Sequence, residues 1–276
     1  MANNLKAENL TVSVPYHGCN KNCPYCVSRM TGYLEANIER MLRNAEKVIT
    51  VAKAAEITSV LFTGKGEPTL DKAWGDLVAL LKRFNMFPCE LQTNGIILAQ
   101  RPNLVDELFV RGLDVLAVSI DRGIQLIEYK PLWNRLNTLG MVSRITVNVT
   151  NLLTEYNPIW WINQCNRLGI HQLTFRRVTV PESCVSFATQ NWIFDNAPDY
   201  LYQNITAELE NVAKTDGRLI RSLKNGIRIW DINGVAVATS DYCIQERDEG
   251  DNLRSLVFQE DGHLYTGWGS KASILF

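Results

Sequence analysis

The sequence predicts an α/β protein, a partial (β/α)6 barrel over residues 1–224 with a β-rich C-terminal hairpin extension or lid over residues 225–276. Three observations lead there. Six short β-branched runs alternate with stretches whose apolar residues recur at helical spacing. Three of the seven cysteines fall in one nine-residue loop directly after the first run. Beyond about Asn225 the helical spacing gives way to two alternating segment pairs, each split by a turn dipeptide.

Each element has a local reason. "TVSVPY", Thr11 to Tyr16, reads as the first strand. Asn37 to Ala55 places Ile38, Met41, Leu42, Ala45, Val48, Ile49 and Ala52 on one helical face. "SVLFTG" from Ser59 is the second strand, and the helix-like stretch Trp74 to Phe84 follows it. "CELQTNG", "VLAVSID", "RITVNVT" and "QLTFRRV" continue the series as strands three to six. One helix is punctuated at both ends: Asn157 can cap it, Pro158 suits its first turn and Gly169 can end it. Strand-then-helix repetition implies parallel strands with right-handed crossovers. In "IRIWDINGVAVATSD" and "SLVFQEDGHLYTGW" the pairs Asn233-Gly234 and Asp261-Gly262 predict hairpins.

Composition narrows the class. With 46% hydrophobic and 21% charged residues the chain can build a full core. A formal net charge of -1 supplies no basic field, so a nucleic-acid partner is not indicated. The first sixteen residues lack a basic segment followed by an apolar one, and no apolar run reaches the ~20 residues a membrane span needs. A cytoplasmic location is expected, and a reducing compartment makes the clustered cysteines metal ligands in preference to disulfides.

In Cys19-x3-Cys23-x2-Cys26 the loop is short enough for all three sulfurs to face one centre. Zinc sites usually recruit four protein ligands, whereas a 4Fe-4S cube held by three thiolates leaves one iron open. Buried free thiols, or a zinc site completed by His17, are the alternatives. The loop's position, after a first strand at the C-terminal rim of a barrel, is where sites of that fold are built.

These residues resemble the CxxxCxxC loop of the radical S-adenosylmethionine (radical SAM) superfamily, and the likeness runs over roughly residues 10 to 180. Tyr25 matches the aromatic position before the last cysteine. "FTGKGEPTL" resembles the family's glycine-rich GGE or GxGEP segment: Gly64, Lys65, Gly66 and Glu67 would then meet the cofactor, Glu67 accepting from its ammonium, although Lys65 departs from the GGE form. Thr93 and Asn94 match a TNG at the end of strand three, which an Asn-Gly turn explains equally well. Ser119 and Asp121 end strand four, where Asp121 either meets the cofactor or caps the next helix. Asn148 is a candidate partner for ribose or carboxylate. Arg176 and Arg177 alternate across strand six, and Arg176 is preferred for the cofactor carboxylate.

The resemblance implies a 4Fe-4S cluster, S-adenosylmethionine, an electron donor such as flavodoxin or ferredoxin, and hydrogen abstraction from an organic substrate. Only Cys243 lies where auxiliary-cluster members carry further cysteines, so one cluster is expected. "DGHLYTGW" is similar to the DGxxY turn of those extensions without its cysteines. Cys243 and His263 are the candidates for hydrogen-atom or proton donation. A small molecule such as a nucleoside, nucleotide or amino-acid derivative is the expected substrate. A peptide- or protein-modifying maturase and a non-catalytic metal-binding module remain the alternatives.

Overall fold

The computed structural model describes residues 6–153, 156–181, 184–223, 226–241, 252–268 and 274–276. Its strands are β1 (Lys6–Ser13), β2 (Val60–Thr63), β3 (Cys89–Thr93), β4 (Val115–Ile120), β5 (Val142–Val149), β6 (Gln172–Arg177), β7 (Gly217–Ser222), β8 (Arg228–Ile232), β9 (Val235–Ser240), β10 (Asn252–Phe258) and β11 (Leu264–Tyr265). The helices are α1 (Val27–Thr31), α2 (Ile38–Ala54), α3 (Asp71–Arg83), α4 (Ile96–Gln100), α5 (Leu104–Val110), α6 (Gly123–Glu128), α7 (Lys130–Leu139), α8 (Pro158–Leu168), α9 (Phe187–Asn196) and α10 (Asp199–Asp216). All six expected barrel strands are present. Helix α8 begins as foreseen, with Asn157 accepting from Trp160 N and Gly169 ending it at φ 67°.

Strands β1 to β6 run parallel in sequence order. Alternation then divides each strand between two environments. Leu10, Val12, Phe62, Leu91, Leu116, Val118, Ile145, Val147, Leu173 and Phe175 are buried in one continuous core. The large helices bury one face each against it, α2 through Met41, Ala45, Val48 and Ala52 and α3 through Ala73, Leu77, Leu80 and Leu81. The opposite parity is polar. Register places Asn9, Thr11 and Ser13 of β1, Gln92 of β3, Ser119 of β4, Asn148 of β5 and Arg176 of β6 on the other face. The interior is thus lined for a polar guest, unlike the branched apolar filling common in closed barrels.

The segment after residue 225 does not form a separate extension among the described residues; it widens both edges of the same sheet. Strand β9 pairs parallel with β6, and β8 and β7 follow it antiparallel. Strand β10 pairs parallel with β1 over Lys6 to Val12, and β11 folds back on it. The physical reason is edge pairing: β1 and β6 each present unmade ladder bonds that a hairpin can complete. Both foreseen turns are there, with Asn233 and Gly234 at φ 52° and 77° and Gly262 at φ 80°. No described helix is long and apolar enough to cross a membrane.

Candidate active site

The C-terminal ends of β1 to β6 and of β10 converge on a cavity of about 320 Å³. Cys19, Cys23 and Cys26 all open into it, and among the described residues no other cysteine does. A larger cavity, about 610 Å³, lies beyond β6 between Arg177 and Asp199, but it holds none of the three thiols. The convergence of thiols, glycine-rich loop and strand ends makes the smaller one the candidate site.

The cysteine loop is tethered on three sides. Glu67 N donates to Gly18 O at 2.8 Å, and Ser28 Oγ donates to Lys65 O. Asn94 Nδ2 donates to Asn20 Oδ1 at 2.7 Å. Tyr25 Oη donates to Asp121 Oδ1 at 2.5 Å while Lys21 Nζ donates to Asp121 Oδ2 at 2.7 Å. Gly66 explains why the two motifs lie so close: a Cβ there would stand 2.4 Å from both Gly18 O and Tyr16 O, so only glycine allows the backbones to meet.

Glu67 is buried and its carboxylate organises the rim. Oε1 accepts from Thr69 N at 3.0 Å and from Thr69 Oγ1 and Thr93 Oγ1 at 2.6 Å each, and Oε2 accepts from Asn94 N at 2.8 Å. Four donors pre-order the carboxylate, and Oε2 retains acceptor capacity. Lys65, of uncertain role in the sequence, is buried and places Nζ 3.2 Å from Oε1 of Glu260, which is fully buried just after β10. Glu260 also accepts from Ser13 Oγ and Leu34 N.

The surroundings of Cys19 and Cys23 favour the protonated thiol. Burial, then the charge of Asp121, pushes the Cys23 thiol up to about 11, against the opposing pull of Lys21. Burial likewise raises Cys19, with Glu67 and Cys26 adding to it. Burial raises the Tyr25 phenol strongly, and Asp121 adds to it, so Tyr25 is a neutral donor to that carboxylate. For Lys21 burial alone would favour the amine, but the Asp121 carboxylate overcomes it and the ammonium is stabilised.

Several foreseen residues come together here. Tyr25, Gly64, Lys65, Gly66, Glu67, Thr93, Asn94, Ser119, Asp121, Asn148 and Arg176 all line the cavity with the three cysteines. Arg176 has a buried Nε with no hydrogen-bond partner, whereas Arg177 turns outward to Asp199 at 2.6 Å. Asp121 does not cap the next helix: Arg122 occupies that position. His263 is a correction. It packs on α2, with Nε2 3.2 Å from Arg40 Nη1, and is not among the side chains lining the cavity. Its hairpin is anchored by Gly262 against Arg40 and Met41, which fixes the imidazole on the outer side. Cys243 lies outside the described residues. His17, the alternative zinc ligand, has Nε2 3.7 Å from Glu260 Oε1. Among the described residues no three His, Cys, Asp or Glu side chains form a group that could hold a single metal ion.

Sequence reasoning missed Lys21, Glu260, and the cavity residues Ser255, Thr266 and Trp268 from the β10 and β11 hairpin. Lys21 could have been suspected, since it is the one charge between the first two cysteines. The others had no local signal.

Residues 13–145 match the model of the radical SAM superfamily, whose cofactors are a 4Fe-4S cluster and S-adenosylmethionine. Among relatives, it is 30% identical over 93 residues to 7-carboxy-7-deazaguanine synthase of Clostridium acetobutylicum, covering 34% of this chain and 41% of that one. It is also 30% identical over 106 residues to GTP 3',8-cyclase of the same organism, covering 37% of this chain and 31% of that one. Among solved structures, Streptococcus suis SuiB bound to S-adenosylmethionine superposes with a TM-score of 0.61 at 12% identity, over 98% of this chain and 61% of that one. SuiB bound to its precursor peptide SuiA gives 0.61 at 13% identity, over 98% and 62%. The chain spans less than half the length of these two sequence relatives, and the likeness to SuiB is one of fold.

Proposed function

We propose that this chain is a radical SAM enzyme acting on a small organic molecule, of the nucleoside, nucleotide or amino-acid-derivative kind. When bound, the cluster and S-adenosylmethionine supply a 5'-deoxyadenosyl radical that abstracts hydrogen from substrate. The observation that carries the reading is the donor set: three free thiols on one loop, all open to one cavity. Soft thiolates suit an iron-sulfur cluster.

The residues of the chain then have assignable work. Cys19, Cys23 and Cys26 ligate, and must lose their protons to do so. Glu67, pre-ordered by Thr69, Thr93 and Asn94, offers Oε2 to an ammonium. Arg176, with its unpartnered Nε, offers a guanidinium to a carboxylate. Ser119 and Asn148 present hydrogen-bonding groups on the intervening strands. Beneath the cavity, Arg144 pairs with Glu90 at 2.6 Å and donates to Gln172 at 2.7 Å, a charged floor across β3, β5 and β6. The polar wall above that floor supports a hydrogen-bonding substrate, and the names of both sequence relatives, a deazaguanine synthase and a GTP cyclase, point to the same class.

Peptide modification is the second reading, supported by the fold likeness to SuiB with its precursor peptide. Anaerobic reconstitution followed by assay for 5'-deoxyadenosine tests the common step. Wild type with dithionite should release 5'-deoxyadenosine, and alanine at Cys19, Cys23 or Cys26 should abolish iron uptake and product together. A loaded wild-type cluster that cleaves no cofactor would leave the chain a metal-binding module.

A further inference from the structure

Asp121 was a candidate either for cofactor contact or for a helix cap, and the structure gives its carboxylate a different occupation. Both oxygens point back to the cysteine loop. Oδ1 takes the Tyr25 phenol at 2.5 Å and Oδ2 the Lys21 ammonium at 2.7 Å, so one carboxylate at the end of β4 gathers the two residues that bracket Cys23. The start of α6 is served without it: Gln125 Oε1 accepts from Asp121 N and Arg122 N. The pair is sheltered, with side chains 15% and 20% exposed, so water screens it only in part. Lys21 itself lines the cavity beside Cys19 and Cys23, and its own backbone N donates to Cys19 Sγ at 3.4 Å.

A charge held in a partly dry site beside a redox centre changes the cost of adding an electron there. An ammonium favours the more negative, reduced state, and a carboxylate disfavours it. We propose that Asp121 is a positioning residue that holds the Lys21 ammonium against the cluster loop, and that the two set the reduction potential of the cluster in opposite directions. This rests on the cluster reading above. Tyr25 has a share in the positioning, because its hydroxyl orients the same carboxylate.

The experiment compares the full chain, reconstituted anaerobically with iron and sulfide, as wild type, Lys21→Met, Asp121→Asn and the double variant. Iron and sulfide per chain are measured first, then the potential by EPR-monitored redox titration. Lys21→Met should move the potential more negative. Asp121→Asn should move it more positive, because the amide oxygen still accepts from the Lys21 ammonium and so keeps it in place while the negative charge is lost. The double variant should fall between them. A merely structural role would move both singles the same way. Singles that shift together, or not at all, at wild-type iron content overturn the inference.

Failure of wild type to take up iron and sulfide sinks the cluster reading instead. The positioning claim is then decided on the metal-free chain, as it is for any variant that loads poorly. Trypsin should cleave after Lys21 several-fold faster in Asp121→Asn and in Tyr25→Phe than in wild type, since each loses one arm of the tether. Equal cleavage rates overturn it.

Discussion

The buried pair of Lys65 and Glu260 allows a quantitative test of how the glycine-rich loop is held. Side chains 4% and 0% exposed mean that solvent screening offers no discount. In Lys65→Met the Glu260 carboxylate keeps, among the described residues, Ser13 Oγ and Leu34 N as neutral donors, with His17 Nε2 at 3.7 Å. Removing one partner of such a pair costs about 3–5 kcal/mol, because the survivor is a buried charge without a counterion. At roughly 2 °C per kcal/mol for a chain of this size, Tm should fall by about 6–10 °C. Adding Glu260→Gln removes the stranded charge while preserving an amide that can serve Ser13 and Leu34, so the double variant should be more stable than Lys65→Met alone. The assay is thermal unfolding of the reduced, metal-free chain in a double-mutant cycle. Losses that simply add, within about 0.5 kcal/mol, would show that the two charges are not coupled and refute the reasoning.

Gly66→Ala should push the cysteine loop off the GKGEP segment, because its methyl meets backbone oxygens at 2.4 Å that no side-chain rotation can clear; iron bound per chain should drop well below wild type, and unchanged loading would contradict the packing argument. Stability should also fall on the alkaline side. Cys89 is raised to about 12, by burial first and then by Asp114 and Glu90, so the folded chain keeps a proton that the unfolded chain releases near 9.0. That contribution is whole below about pH 9 and is lost as pH climbs towards 12, at about 1.4 kcal/mol per pH unit. Cys89→Ala should flatten the unfolding slope by that amount between pH 9.5 and 11, and an unaltered slope would remove the thiol from the account.

What was legible in the sequence was what local pattern encodes. Strands β2 to β6 and the capped helix α8 could be placed because their outward residues are apolar and their ends carry Asn, Pro and Gly in the required order. In that helix Trp161 is buried in the core, and Trp160 stacks on Tyr156 at 3.8 Å. The first half of β1, with Lys6, Glu8 and Asn9, escaped notice because its polar residues make sense only once β10 lies alongside. The same limit governs the site. Thiol spacing and "GKGEP" are contiguous, so their chemistry is visible in one dimension. Lys21 and Asp121 are 100 positions apart, and Lys65 meets Glu260 only because the last parallel strand returns to the first. His263 was misplaced for the converse reason: its hairpin was visible, but the edge it would dock against was not.

That return sets a timetable for biosynthesis. The outer edge of β1 has no partner until β10 emerges, and Ser13 meets Glu260 across 247 positions. A nascent chain leaving the ribosome in order would therefore carry an open, partly apolar ladder and an unneutralised lysine until β10 and Glu260 have emerged. Ribosome-stalled chains that stop before β10 should thus bind chaperones and resist compaction, and release of the β10–β11 hairpin is the event that seals the nascent cavity wall.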